Sequence, residues 1–229
     1  MKIICLDAGH TPGGDPGACG FGLKEANITG DITGRVATAL SAYDCDVRQV
    51  PRTDSLQTRC DYANVAGADC FVSIHINAAG GTGFESYIYP GAGGSTQALQ
   101  EYLHEACMQY SAQHGLPDRG KKAKPFTVLA ETAMPACLLE LCFIDNEHDA
   151  ACLRDELYLS GISSAIAHGI VKAMGLTLRE PETTEAAIDR LHKAGVINSP
   201  DYWLENARTG KTCRGDYVAA LIKNMSSKL

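Results

Sequence analysis

Three titratable side chains occupy positions where a buried sheet should be apolar. His75 interrupts the apolar run Phe71–Ile76, Glu140 interrupts Ala136–Phe143 with a leucine on each side, and His10 follows just past the first strand. An ionised carboxylate taken into a core costs on the order of several kcal/mol unless a cation or donors compensate it. Both intrusions fall toward the C-terminal ends of strands, the edge where open α/β sheets form their ligand crevices. A catalytic zinc commonly takes three protein ligands from His and carboxylate and leaves the fourth position for water. His10 and His75 supply two nitrogens. Glu25 is the best candidate for the third ligand, because it opens the first helix and so sits at the same edge. Glu140 is then a carboxylate close to the metal but not on it, free to handle protons. A plainer reading stands beside this one: a histidine in an apolar strand is more often a hydrogen-bonded core residue, and a strand-end glutamate is more often paired with Arg or Lys.

The elements that must position these residues are legible in the pattern. Residues 2–6 (KIICL) read as a buried strand running into a glycine-rich loop. From Glu25, the residues Ile28, Ile32, Val36 and Leu40 recur four apart, as in a helix. Asp46–Val50 fits a second strand, and Ser55–Asn64 a short helix capped by Asp54 or Ser55. Asp69–Ala78 reads as a central strand and Gly83–Tyr89 as a fourth. Leu99, Leu103, Ala106 and Tyr110 mark a helix ending near Gly115. Phe126–Ala130 and Ala136–Phe143 read as two further strands, and Leu159, Ile162, Ile166 and Ile170 as a last helix that stops near Gly175. Strands alternating with helices predict an α/β fold: a mostly parallel twisted sheet of about six strands flanked by helices.

Composition narrows the functional classes. The 229 residues carry a net charge of −7, with 45% hydrophobic and 21% charged residues. This is ordinary globular usage. The negative balance argues against a nucleic-acid partner and against any other anionic polymer as the main source of affinity. No apolar run is long enough to span a bilayer. The ten cysteines include no C-x-x-C pair, so a structural zinc ribbon is disfavoured. Cys5, Cys70, Cys137 and Cys142 sit inside apolar runs and read as small buried hydrophobes in a reducing compartment. The absence of a recognisable leader predicts either a protein that stays cytoplasmic until its release or a secreted one whose signal peptide has been removed.

The same residues carry a family resemblance. In order along the chain stand ICLDAGHTPGGDPGA, KEAN, PRTD, SLQTRCDYAN, ADCFVSIHINA, GFESYIY and PDRGKKAKPFTVLAETAMPACLLELCFIDN. Over about residues 2–175 the chain resembles the zinc-dependent N-acetylmuramoyl-L-alanine amidases of the amidase 3 type, found as phage endolysins and bacterial autolysins. The resemblance implies one zinc ion bound by His10, Glu25 and His75, with Glu140 as the catalytic glutamate ahead of Phe143 and Asn146. It implies peptidoglycan as the partner and hydrolysis, by zinc-activated water, of the amide joining N-acetylmuramic acid to the L-alanine of the stem peptide. A non-catalytic wall-binding relative and a metallohydrolase of another amide are the alternatives. The chain departs from the family at Cys142, where glycine is usual; little change is expected beyond a narrower substrate channel beside it.

Weaker expectations attach to other residues. Asn77 follows His75 by two and shares its face, so it could orient a ligand or line the site. Arg119, Lys121 and Lys122 read as a basic loop, and in the family a matching loop borders the substrate groove. Arg52 and Arg59 are expected to hold loops through ion pairs. The catalytic domain is expected over 1–176, a polar linker over 177–185 and a small helical domain over 186–229. In that tail Gly195 reads as a helix C-cap, and Ser199-Pro200 opens the next helix. Trp203, Tyr202 and Tyr217 could form its core, bind wall sugars or seal a homo-oligomer, with the core role favoured in so small a domain.

Overall fold

The computed structural model describes residues 1–180, 183–208 and 210–226. It divides into two compact units, Met1–Arg179 and Glu180–Leu229.

The first unit is built on a six-stranded sheet. Its strands are β1 (Lys2–Ala8), β4 (Cys45–Gln49), β5 (Cys70–Asn77), β6 (Phe84–Ile88), β7 (Asp118–Ala123) and β8 (Ala136–Phe143), in the order β4-β1-β5-β8-β6-β7. The first four of that order are mutually parallel. β6 runs antiparallel to β8, and β7 parallel to β6. Two-residue strands β2 (Cys19–Gly20) and β3 (Leu23–Lys24) form a small hairpin ahead of α1 (Glu25–Leu40).

The period of two sorts each strand onto two faces. Ile4 and Leu6, then Cys70, Val72, Ile74 and Ile76, then Cys137, Leu139 and Leu141 enter the larger core. That face is covered by α1, α3 (Gly94–Ser111) and α6 (Glu156–Met174). Cys5, Phe71, Ala136 and Leu138 enter the smaller core, beneath α2 (Leu56–Ala66) and the single turn α4 (Thr127–Ala130). Continuing along the strands on this second face come Asp7, then Ser73, His75 and Asn77, then Glu140, with Glu85 and Tyr87 on β6. The polar residues therefore gather on one face, toward one edge.

α2 is capped as its sequence requires: Thr58 N–H donates to Ser55 Oγ at 3.2 Å. Two expectations fail together. Phe126–Ala130 is not a strand; its last four residues form α4. The sixth strand is instead Asp118–Ala123, read from sequence as a basic loop. β7 is an edge strand, and its charges keep the edge from pairing with another chain. A short apolar run such as FTVLA does not by itself distinguish a strand from a buried helical turn.

The first unit extends to Arg179. Leu178 bridges to Tyr43, and the Arg179 guanidinium donates to the carbonyls of Tyr43 and Cys45 at 2.7 and 2.8 Å. α5 (Glu147–Cys152) follows β8, with Asn146 capping it through His148 and Asp149 N–H. Pro181 and Glu182 of the expected linker lie outside the described residues. The second unit holds α7 (Thr184–Lys193), α8 (Pro200–Asn206) and α9 (Gly215–Ser226) around Ile188, Val196, Ile197 and Trp203. Tyr202 and Tyr217 stack there at 3.8 Å between ring centroids.

Candidate metal centre and active site

β1 ends at Ala8, and the next two residues turn sharply: Gly9 N–H still donates to Ile74 O at 2.9 Å, while His10 takes a left-handed φ of 61°. Two arginines hold this turn. Arg59 donates to Asp7 Oδ1 and Ala8 O at 2.7 and 2.6 Å and to His10 O at 3.0 Å, and it is almost wholly buried. Arg52 donates to the carbonyls of Ala26 and His10. The ion pair expected of Arg59 is present, with Asp7; Arg52 works through backbone carbonyls.

The turn presents the His10 imidazole to Glu25, the first residue of α1. His10 Nε2 lies 3.3 Å from Glu25 Oε2, and His75 Nδ1 lies 3.0 Å from Glu25 Oε1. Among the described residues, His10, Glu25 and His75 form a cluster whose ligand atoms all lie within 4.8 Å of one another. Two imidazole nitrogens and a carboxylate are a donor set that zinc accepts. The backbone leaves room for it. A Cβ on Gly9 would stand 2.5 Å from the His75 ring, and one on Gly17 2.5 Å from Glu25 Oε2 and 2.6 Å from the His10 ring.

The carboxylates differ in kind. Burial pushes the Glu25 carboxyl up, but the His75 hydrogen bond and charge, with the N–H groups of Ile76 and Ala18, outweigh it and hold the group below its usual range. Glu140 is the reverse. Burial, then the charges of Glu25 and Glu85, push it well above the usual carboxylate range against a weaker pull from Lys124. Its Oε2 is buried with no hydrogen-bond partner. Glu140 lies beside His75 on one neighbouring strand and beside Glu85 on the other. Its face opens on a cleft of about 530 Å³, whose lining includes the polar His10, Asp15, His75 and Glu140 and the apolar Leu56, Phe126, Val128 and Leu138.

Three residues of this site went unread in the sequence. Asp15 Oδ2 accepts from His10 Nδ1 at 2.9 Å, which turns Nε2 toward Glu25. The Asp7–Arg59 pair supports the turn from beneath. Glu85 is a buried carboxylate saturated by Asn77, Tyr87, Arg119 and Lys122. Asn77 and Arg119, both expected at the site, thus converge on Glu85; Arg119 also lies over the Phe143 ring at 4.6 Å. Lys121 turns away and pairs with Glu101 on α3. The cause is a bulge: three residues of β6, Phe84 to Ser86, face four of β7, Asp118 to Lys121. Cys142 is fully buried against the Tyr158 hydroxyl at 3.1 Å, so it does not narrow the cleft.

The chain is similar to known proteins in sequence and in fold. Residues 4–172 match the amidase 3 family, described as N-acetylmuramoyl-L-alanine amidase. The chain belongs to that family. It is 41% identical over 182 residues to the endolysin of Bacillus phage SPP1, covering 76% of this chain and 67% of the relative. It is 42% identical over 181 residues to the sporulation-specific N-acetylmuramoyl-L-alanine amidase of Bacillus subtilis, covering 77% and 69%. The catalytic domain of the amidase CwlV from Bacillus (Paenibacillus) polymyxa superposes with a TM-score of 0.70 at 30% identity, covering 77% of this chain and all of that domain. This amidase 3 member keeps its match within the first unit; the second unit lies beyond it.

Proposed function

We propose that the chain hydrolyses the amide between the lactyl group of N-acetylmuramic acid and the L-alanine of the peptidoglycan stem peptide. In this reading one zinc ion is held by His10, Glu25 and His75. The observation that carries the proposal is the convergence of those three side chains beside a buried, unpartnered Glu140. Family membership supplies the substrate class.

A zinc ion bound there supplies a Lewis-acid centre that lowers the pKa of a water molecule toward about 7 and polarises an amide carbonyl. The protein's own groups do the rest. Glu25 keeps its negative charge and a fixed orientation through two backbone donors. Asp15 holds His10 in one tautomer. Glu140, with its raised proton affinity, accepts a proton from the attacking water and delivers it to the leaving nitrogen. Leu56, Phe126 and Val128 give the cleft apolar lining that displaces water from bound substrate. Glu85 is shared by two cations, Arg119 and Lys122, so this cluster keeps one positive charge beyond its carboxylate for a stem-peptide carboxylate. A non-catalytic wall-binding relative would have no use for a lone buried carboxyl. No helix among the described residues is long and apolar enough to cross a membrane, and we place the protein's action at the cell wall.

The test is product analysis on purified peptidoglycan. The zinc-loaded protein is expected to release peptides with new L-alanine amino termini and to leave the glycan bonds intact. Glu140→Gln is expected to lose about 10²–10⁴-fold in rate while retaining one zinc per chain. Release of reducing sugar instead of L-alanine termini, or near wild-type turnover by Glu140→Gln, would overturn the reading.

A further inference from the structure

The chain has a single tryptophan, Trp203, and it lies in the second unit on α8. It is 9% exposed, packed with Ile188, Val196 and Ile197. Beside it opens a cavity of about 300 Å³, whose lining includes Asn198, Ser199, Trp203, Asp216, Tyr217 and Leu221. Three polar groups of that lining have no hydrogen-bond partner among the described residues: the Trp203 indole N–H, the Asn198 amide and the Ser199 hydroxyl. Asp216 stands at the rim and shares its carboxylate with Arg214 at 2.7 Å.

We infer that this cavity binds one N-acetylated hexosamine unit of a glycan strand. The lining selects that chemistry. Indole and phenol rings offer apolar surface to the C–H face of a sugar, together with polar edges. A free amide, a free hydroxyl and an indole N–H pair with an acetamido group and ring hydroxyls. Leu221 and Val196 give the acetamido methyl an apolar wall. The Arg214–Asp216 pair leaves no uncompensated cation at the rim, so a phosphate or a free carboxylate finds no partner there. The volume stands at the small end of ligand sites, roughly 300–1,000 Å³, which suits one sugar ring better than an extended peptide. This second contact to the wall polymer does not involve the proposed metal centre.

The test uses the full chain and tri-N-acetylchitotriose, a glycan without stem peptide. Trp203 emission reports on this cavity alone, because the first unit contains no tryptophan. A saturable emission change is expected. Tyr217→Ala should weaken binding about tenfold, equivalent to about 1.4 kcal/mol. Asn198→Ala, an exposed position that does not touch the core, should weaken it several-fold while leaving the unliganded emission unchanged. Cellotriose, which lacks the acetamido group, should bind at least about tenfold more weakly. His75→Ala and Glu140→Gln should leave the titration unaltered, so loss of amidase activity and loss of glycan binding are read separately. Absence of a saturable change, equal binding of cellotriose, or unaltered binding by both Tyr217→Ala and Asn198→Ala would overturn the inference.

Discussion

Glu140 and Glu85 are cross-strand neighbours with opposite electrostatics, and each gives a pH signature. In the metal-free protein Glu140 has a folded proton affinity raised above its unfolded value. Folding therefore favours its protonated form, and stability falls as pH rises above about 4.3, the unfolded carboxylate value. Metal-free Glu140→Gln is expected to melt higher than the wild type at pH 7, with the difference closing toward pH 4, as read by calorimetry. Glu85 is depressed: burial raises it, but Lys122, Tyr87 and Arg119 outweigh that. Its contribution is present above the unfolded value and lost as pH falls through the folded one. Glu85→Gln is expected to cost about 1–3 kcal/mol at pH 7, shrinking in acid. Asp15→Asn should weaken zinc binding about 10–100-fold, measured against a competing chelator. The sequence showed His75 and Glu140 because each breaks an apolar run. Asp15 and Glu85 break none: one lies in a polar loop, the other alternates in phase with Tyr87, so neither violated a pattern.

The elements place these side chains by simple periodicity and by glycine. Alternation along β1, β5 and β8 was readable, and it sends the polar set to a single face. What was not readable was the edge. β7 carries Arg119, Lys121 and Lys122 and looked like a loop because an edge strand needs no apolar face. The bulge that separates Arg119 and Lys122 from Lys121 depends on pairing with β6, which no local pattern records. Close packing makes two glycines testable. Gly9→Ala should displace the His75 ring and lower zinc affinity at least about tenfold, with an unchanged circular dichroism spectrum. In α6, a Cβ at Gly169 would stand 2.8 Å from Leu103 Cα on α3. Overpacking of about 1–3 kcal/mol outweighs the roughly 1 kcal/mol that alanine gains over glycine in a helix. A melting temperature lower by several degrees is expected from Gly169→Ala, with activity retained below the transition.

At the scale of the whole molecule, the two units should respond differently to metal. A ligand that binds only the folded state stabilises it by about 2.7 kcal/mol at a hundred times its dissociation constant. Excess zinc should therefore raise the transition of the first unit, followed by activity, and leave that of the second, followed by Trp203 emission. The ordered blocks from ICLDAGH to CFIDN made the family legible without any structure. The second unit was legible only as helices, because its cavity depends on how α8 and α9 meet. The central claim is that His10, Glu25 and His75 grip one metal ion. Anomalous diffraction from zinc-loaded crystals at the zinc edge tests it most directly. A single strong peak is expected in the first unit, within coordination distance of those three side chains. A peak bound by other residues, or none there at full zinc loading, would contradict it.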